Sequence, residues 1–121
     1  VAREKILIVE DDALIAYSMR LALERNGYTL LDPVATGEEA LKSALENKPD
    51  FALVDIRLAG KMDGITAGER MRADGHMAVI YLTGYSRDSR LPPDAVCLSK
   101  PVEIPVLLRM IENLLNAGSM E

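Results

Sequence analysis

Carboxylates, a hydroxyl and an ammonium stand at the ends of four short apolar runs in a chain of 121 residues. Glu10-Asp11-Asp12 follows Lys5-Ile6-Leu7-Ile8-Val9, and Asp55 follows Phe51-Ala52-Leu53-Val54. Thr83 follows Ala78-Val79-Ile80-Tyr81-Leu82, and Ser99-Lys100-Pro101 follows Ala95-Val96-Cys97-Leu98. Carboxylates gathered in one pocket repel one another unless a cation holds them. An all-oxygen donor set without histidine or cysteine favours magnesium or manganese over zinc. Beside a lysine and a hydroxyl, such a site suits phosphoryl transfer. The metal and the ammonium neutralise the phosphoryl oxygens, the hydroxyl donates a hydrogen bond, and a carboxylate can be the nucleophile. Taken singly, each residue has a plainer role: Asp12 as a helix cap, Glu10 and Asp11 as solvated acids, Lys100 as a surface lysine. The argument for a site is their joint position.

That position depends on the elements. The four apolar runs read as strands, the first of them buried on both faces. A further strand is expected over residues 28–35, where Pro33 suits an edge. Between the strands the apolar period becomes helical. Asp12 caps a helix over residues 13–26 that buries Ile15, Met19, Ala22 and Leu23, with Gly27 as its stop signal. Thr36 and Glu39 have the spacing of a capping box for a second helix, which buries Ala40, Leu41, Ala44 and Leu45 and closes at Pro49. A third helix is expected over 65–72. A last one is expected over 104–116, with the stripe Ile104, Leu107, Leu108, Ile111, Leu114 and Leu115 and with Pro105 in its first turn. Strands alternating with helices predict βαβ units, a parallel sheet and right-handed crossovers. Ligands of an open parallel sheet bind outside the carboxyl ends of its strands, where the polar groups stand.

Composition narrows the class. Hydrophobic residues make up 49% and charged residues 27%, a globular rather than a disordered balance. Fourteen basic residues against 19 acidic give a net charge of −5, so neither nucleic acid nor an anionic membrane is an expected partner. Cys97 is the single cysteine, which excludes an intrachain disulfide and a multi-cysteine zinc site. No apolar run approaches the roughly 20 residues of a membrane span and there is no signal-peptide pattern, so the expected compartment is the cytoplasm. The chain opens on valine, as a processed chain or a piece of a longer one would. One domain is expected over 1–121, with its core at about 5–116 and the last four residues as a frayed tail or the start of a linker.

Five segments in order resemble the receiver domain of two-component response regulators. They are Ile6-Leu7-Ile8-Val9-Glu10-Asp11-Asp12, Leu53-Val54-Asp55-Ile56, Met62-Asp63-Gly64, Leu82-Thr83-Gly84 and Ser99-Lys100-Pro101. The resemblance covers residues 5 to about 115. It implies a flavodoxin-like α/β fold, a doubly wound five-stranded parallel sheet of order 2-1-3-4-5. It also implies roles. Asp55 matches the phosphoacceptor. Glu10 and Asp11 match the acidic pair that holds Mg2+ (or Mn2+), with Asp11 the expected direct ligand, and the backbone carbonyl of Arg57 matches a further ligand. Thr83 matches the hydroxyl that moves toward the phosphoryl group, and Lys100 the lysine that pairs with it. The Lys100-Pro101 bond matches one that is usually cis. Arg57 and Tyr85, two positions after Asp55 and Thr83, match flanking positions that tune dephosphorylation. The implied partner is a histidine kinase or histidine phosphotransfer protein, with an output partner or a second copy on the 85–116 face. Such a domain is a signalling phosphoacceptor rather than an enzyme, with only weak self-catalysed transfer and autodephosphorylation.

This sequence departs from the family pattern in three places. The loop after Asp55 is one residue longer than usual, and Ala59 stands where proline is common. Only 17 positions separate Thr83 from Lys100, and that interval contains Pro92-Pro93, so the usual helix between the fourth and fifth strands is expected to be short or missing. Cys97 stands where a switch aromatic is usual. The Thr83-Gly84-Tyr85 run is similar to a subgroup of receivers that stand alone or are attached to kinases. His76, in a polar turn, reads as a loop histidine, and Cys97 as a small buried hydrophobe. The alternative function is an interaction module of the same fold that does not switch by phosphorylation. Toprim-like and haloacid-dehalogenase-like enzymes fit poorly, because both need Asp-x-Asp. Here Asp11 and Asp12 are adjacent, and the residue two after Asp55 is Arg57.

Overall fold

The computed structural model describes residues 3–73, 77–84 and 87–119. The elements run β1 (Lys5–Val9), α1 (Ala13–Arg25), β2 (Thr29–Leu30), α2 (Gly37–Asn47), β3 (Phe51–Asp55), α3 (Gly64–Arg72), β4 (Ala78–Thr83), β5 (Val96–Ser99) and α4 (Ile104–Ser119). All five strands pair in parallel, in the order β2-β1-β3-β4-β5. Thus the doubly wound sheet and its order are as the sequence implies.

Both faces of the sheet are covered, and the strand period of two decides which residue serves which face. Ile6, Ile8, Leu53, Ile80 and Leu82 pack with Ala16, Met19 and Leu23 of α1 and Leu107 and Ile111 of α4. Leu7, Val9, Ala52, Val54, Val79 and Tyr81 face the other way, against Ala40 of α2 and Ile65 and Met71 of α3. Tyr81 is fully buried, and its ring lies so close to α3 that a Cβ on Gly68 would meet it at 2.5 Å. Its hydroxyl donates to Glu69.

The helix starts follow the predicted caps. Asp12 accepts from the N–H groups of Leu14 and Ile15. Thr36 accepts from the N–H of Glu39, and Glu39 reaches back to the N–H of Ala35 and the hydroxyl of Thr36. Asp63 accepts from the N–H of Thr66 and so caps α3.

Several expectations need correction. The strand expected over 28–35 is regular only at Thr29–Leu30. Pro33 has no N–H to give the ladder, and pairing with β1 resumes at a single bridge between Val9 and Val34. Leu45 is 73% exposed, because the stripe of α2 that meets the sheet is centred on Ala40 and Leu45 lies past its edge. Ile15 is likewise exposed, with Ala16 taking the buried position on α1. β5 begins and ends one residue later than expected, and α4 continues to Ser119, so Gly118 and Ser119 belong to it rather than to a frayed tail. Met120, Glu121 and His76 lie outside the described residues.

No helix occurs among the described residues between β4 and β5, as Pro92-Pro93 implies. Leu91 and Ala95 are buried there instead and join the cluster that holds Tyr81 and Met71. They fill part of the space a helix would cover. The longer loop after Asp55 closes through Gly60, whose φ of 92° favours glycine, and through a bridge between Thr36 and Ala59.

Candidate phosphoryl-transfer site

The carboxyl ends of β1, β3, β4 and β5 open on one mouth. The parallel registers align Val9 with Val54, Asp55 with Leu82, and Thr83 with Ser99, so the residues that end these strands finish at the same level. Oxygen atoms of Glu10, Asp11 and Asp55 lie within 4.8 Å of one another. Glu10 and Asp55 are 3% and 6% exposed, whereas Asp11 is open to solvent. The Lys100 ammonium donates to Oδ2 of Asp55 at 2.6 Å and to Oε1 of Glu10 at 3.3 Å.

The other carboxylate oxygens of Asp55 and Glu10 are also engaged. Oδ1 of Asp55 accepts from the backbone N–H of Arg57 at 3.0 Å, and Oε2 of Glu10 accepts from the N–H of Asp12 at 3.1 Å. The Asp55 carboxylate is therefore held in one orientation by a backbone donor on one oxygen and an ammonium on the other. Burial pushes the Glu10 carboxyl up to about 7. The Asp12 N–H opposes that rise, the Asp55 charge adds to it, and Lys100 opposes it. For Lys100, burial works against the charged form, but its bonds to Asp55 and Glu10 outweigh this and hold its pKa above the ordinary lysine value.

Thr83 is 4% exposed, and its Oγ1 has no hydrogen-bond partner. An orphaned buried hydroxyl is costly, on the order of 1–3 kcal/mol. Its carbonyl accepts from the N–H of Lys100 at 2.7 Å, so strand pairing itself ties the hydroxyl-bearing residue to the lysine. The Lys100-Pro101 peptide is cis.

Three acidic side chains converging on one point through oxygen alone fit a hard divalent cation such as Mg2+. The Arg57 side chain is exposed and lines the same mouth, together with Asp55, Thr83, Gly84, Arg87 and Asp88. Tyr85, the other tuning residue, lies outside the described residues. The mouth continues into a groove between Leu14, Ile15 and Ser18 of α1 and Pro101, Val102 and Ile104, and the two together form a cavity of about 990 Å³.

Two contributors carry little signal in the sequence. Gly64 reads there as a turn glycine and part of a motif. Its actual constraint is that a side-chain carbon at that position would overlap the Asp55 carbonyl oxygen. Asp63 and Asp88 both bind Arg90, at 2.9 Å each, which ties the start of α3 to the β4–β5 connection. That link joins residues 27 positions apart and has no local pattern.

A family model described as response regulator receiver domain matches residues 6–112. The transcriptional regulatory protein PdtaR of Mycobacterium tuberculosis is 31% identical over 113 residues, which cover 89% of this chain and 55% of that protein. This chain therefore spans about half the length of that relative. Among solved structures, the signal receiver domain of a modulated diguanylate cyclase from Desulfovibrio desulfuricans G20, described as an example of alternate folding, is 36% identical. It superposes with a TM-score of 0.84, covering 97% of each chain. A CheY-like response regulator receiver domain protein from Methanospirillum hungatei is 30% identical, with a TM-score of 0.86 and 98% of each chain covered.

Proposed function

This chain belongs to the response regulator receiver domain family, a family of signalling domains, and we propose that it accepts a phosphoryl group onto Asp55 from the phosphohistidine of a kinase or phosphotransfer protein. The observation that carries this reading is the Asp55 carboxylate itself. It is buried at a strand end, fixed by the Arg57 N–H and Lys100, and shares its mouth with an unpartnered Thr83 hydroxyl.

Asp55 supplies the nucleophile. One of its carboxylate oxygens bonds to phosphorus as the donor's phosphorus–nitrogen bond breaks, and the departing imidazole takes up a proton. Lys100 moves from pairing with a carboxylate to pairing with a phosphoryl oxygen, and the Thr83 hydroxyl donates to another. Glu10, Asp11, Asp55 and the carbonyl of Arg57 would hold Mg2+ or Mn2+, with Glu10 acting through water. When bound, the cation neutralises charge on the phosphoryl oxygens. The step that ends the signal is hydrolysis of the acyl phosphate: water attacks phosphorus, the bond to the Asp55 oxygen breaks, and inorganic phosphate leaves with the Asp55 carboxylate restored, a slow and self-catalysed reaction.

One domain spans the whole chain in this reading, and it works in the cytoplasm. No helix among the described residues is long and apolar enough to cross a membrane. The output surface is the 85–116 face, toward a partner protein or a second copy. A second reading is a receiver-fold interaction module that does not switch. It is favoured by one observation, the absence of a helix among the described residues between β4 and β5.

Intact-mass analysis after incubation with acetyl phosphate and Mg2+ separates the two. The phosphoacceptor reading expects one added phosphoryl group in the wild type and none in Asp55→Ala. Equal uptake by Asp55→Ala would remove Asp55 from the role. No uptake by the wild type, from acetyl phosphate or from a phosphorylated histidine donor, would favour the module.

A further inference from the structure

A second cavity, of about 620 Å³, lies at the opposite end of the sheet from the mouth. Asp50 and Met77 line it and stand just before β3 and β4, whereas the mouth opens where those strands end. The two sites are thus separated by the length of a strand, roughly 15 Å. The cavity is the gap between the ends of α2 and α3. At its start α2 meets the segment that leads into α3, with Met62 so near Gly37 that a Cβ there would touch its side chain at 3.0 Å. Toward the ends of the two helices the small side chain of Ala44 leaves space, and Leu45 stands exposed at the rim. Leu41, Ala44 and Met77 pack against the core cluster that holds the buried Met71. The floor of the cavity is therefore core, and an apolar body placed in it meets the side chains that α2 and α3 bury against the sheet.

The rim is charged, and in the opposite sense to the chain. Lys48 and Arg70 line the cavity, and Asp50 is the one acid among the described residues that does so. Two cations against one acid leave a single positive charge here, in a chain whose net charge is −5. The Asp50 carboxylate is already engaged, its Oδ2 accepting from the backbone N–H of Lys5 at 2.8 Å. Among the described residues no ion pair or side-chain hydrogen bond holds Lys48 or Arg70, whereas Arg72 on the same helix is bonded to Glu69 and Asp94. Lys48 also takes the left-handed conformation at the end of α2, with a φ of 47°, where a glycine would be unstrained. The position carries a cation against the preference of its backbone.

We infer that this cavity binds a small carboxylate with an apolar tail. The tail lies on Leu41, Ala44, Met71 and Met77, and Lys48 and Arg70 take the carboxylate. A volume of this size suits a small molecule, and two methionines give walls that adapt to an unbranched chain. Arg70 offers a planar fork of donors that matches a carboxylate. The single excess charge selects a carboxylate over a phosphate monoester, which carries about −1.5 to −2 at neutral pH and would meet the Asp50 charge as well. The site shares no residue with the mouth, and its occupancy requires nothing of the phosphoacceptor reading.

Titration of the full chain with decanoate, followed by NMR of the methionine methyl groups and the backbone amides, tests this. Saturable shifts are expected at the Met71 and Met77 methyls. Decanol, which has the tail without the charge, should bind at least tenfold more weakly, and decyl phosphate no more tightly than decanoate. Arg70→Met and Lys48→Gly should each weaken decanoate binding at least threefold, the loss of one partly exposed pair. Lys48→Gly removes the cation and relieves the left-handed backbone, so its weaker binding comes from the charge and not from a weakened fold. Asp50→Asn keeps an acceptor for the Lys5 N–H and should strengthen binding. The β1 and β3 amides report that each variant stays folded. Shifts that do not saturate, or that centre on the groove beside α1, overturn the site. Equal binding of decanol, or wild-type affinity in both Arg70→Met and Lys48→Gly, reduces it to an apolar hollow and overturns the carboxylate. Tighter binding of decyl phosphate overturns the choice of headgroup. None of these outcomes depends on whether Asp55 takes up a phosphoryl group.

Discussion

The ammonium of Lys100 sits closer to Asp55 than to Glu10, 2.6 Å against 3.3 Å, and is the one cation bonded to either acid among the described residues. Both acids are more than nine-tenths buried. Their mutual repulsion is thus balanced by a side chain that arrives from β5, the far edge of the sheet. Removing it leaves buried charge without a partner, which is more costly than losing a surface pair.

Lys100→Met should accordingly lower stability by about 1–3 kcal/mol in a metal-free buffer. Millimolar Mg2+ should restore more of the melting temperature in the variant than it adds to the wild type. On the proposed function the cation and the ammonium serve the same carboxylates, and a ligand that binds only the folded state stabilises it more the more tightly it binds. Thermal melts with EDTA and with Mg2+ decide this. An equal Mg2+-induced rise in both proteins would mean that Lys100 and the metal do not share the acids.

Gly64 tests how tightly the site is built into the fold. Its N–H donates to the Ile56 carbonyl at 2.8 Å, and its α-carbon sits against the Asp55 carbonyl. The obstructing atoms are backbone, so an added methyl cannot be relieved by a rotamer change. Gly64→Ala should cost about 3 kcal/mol, at the upper end for overpacking. It should also weaken Mg2+ binding by displacing the end of β3. Denaturant unfolding and titration calorimetry are the measurements. A variant with wild-type stability would show that α3 can withdraw from β3 freely.

The contrast between Gly64 and the polar cluster shows what the sequence discloses. The alternation of strands and helices was legible from the apolar runs and turn residues, whereas the strand order, and with it the shared mouth, came from the family resemblance that the five segments carry. The caps at Asp12 and Thr36 were legible because they are local. Leu45 has the spacing of a buried position yet is exposed, because a periodic stripe gives the direction of a helix face and not where its buried part ends. The Arg90 contacts were not legible at all. A long guanidinium carries no sequence pattern that names its acceptor, and Arg90 reaches Asp63 across 27 positions.

Asp63 gives a pH test away from the acids of the mouth. Its bond from the Thr66 N–H comes first in holding its pKa below the ordinary aspartate range, and Arg90 adds to it. A carboxyl whose folded pKa is depressed stabilises the fold above its unfolded pKa, near 3.9, and loses that contribution as pH falls through the folded value. Asp63→Ala should cost about 1 kcal/mol at neutral pH, as for loss of an N-cap. Its deficit relative to the wild type should shrink below about pH 4. Asp63→Asn keeps a capping oxygen at every pH and should show a smaller deficit at neutral pH. Urea unfolding across this range checks the sign. A deficit for Asp63→Ala that stays constant down to pH 3 would mean that the ionised carboxylate is not what stabilises the cap.

Arg57 separates what its backbone does from what its side chain does. The N–H that fixes Oδ1 of Asp55 is present whatever residue other than proline occupies the position. The guanidinium is exposed at the rim of the mouth, where a hydrolytic water has to approach in line with the phosphorus–oxygen bond. On the proposed function, a long side chain there would obstruct or misplace that water, and a methyl group would not. Arg57→Ala should therefore accept phosphoryl groups as the wild type does and lose them about three- to tenfold faster. The larger value corresponds to only about 1.4 kcal/mol of barrier. Arg57→Lys, which keeps the length and charge but not the planar fork, should lie between the two. First-order decay of the phosphorylated protein after removal of donor measures all three. If Arg57→Ala decays at the wild-type rate, the side chain does not stand in the path of the water, and the lifetime is set by groups deeper in the mouth.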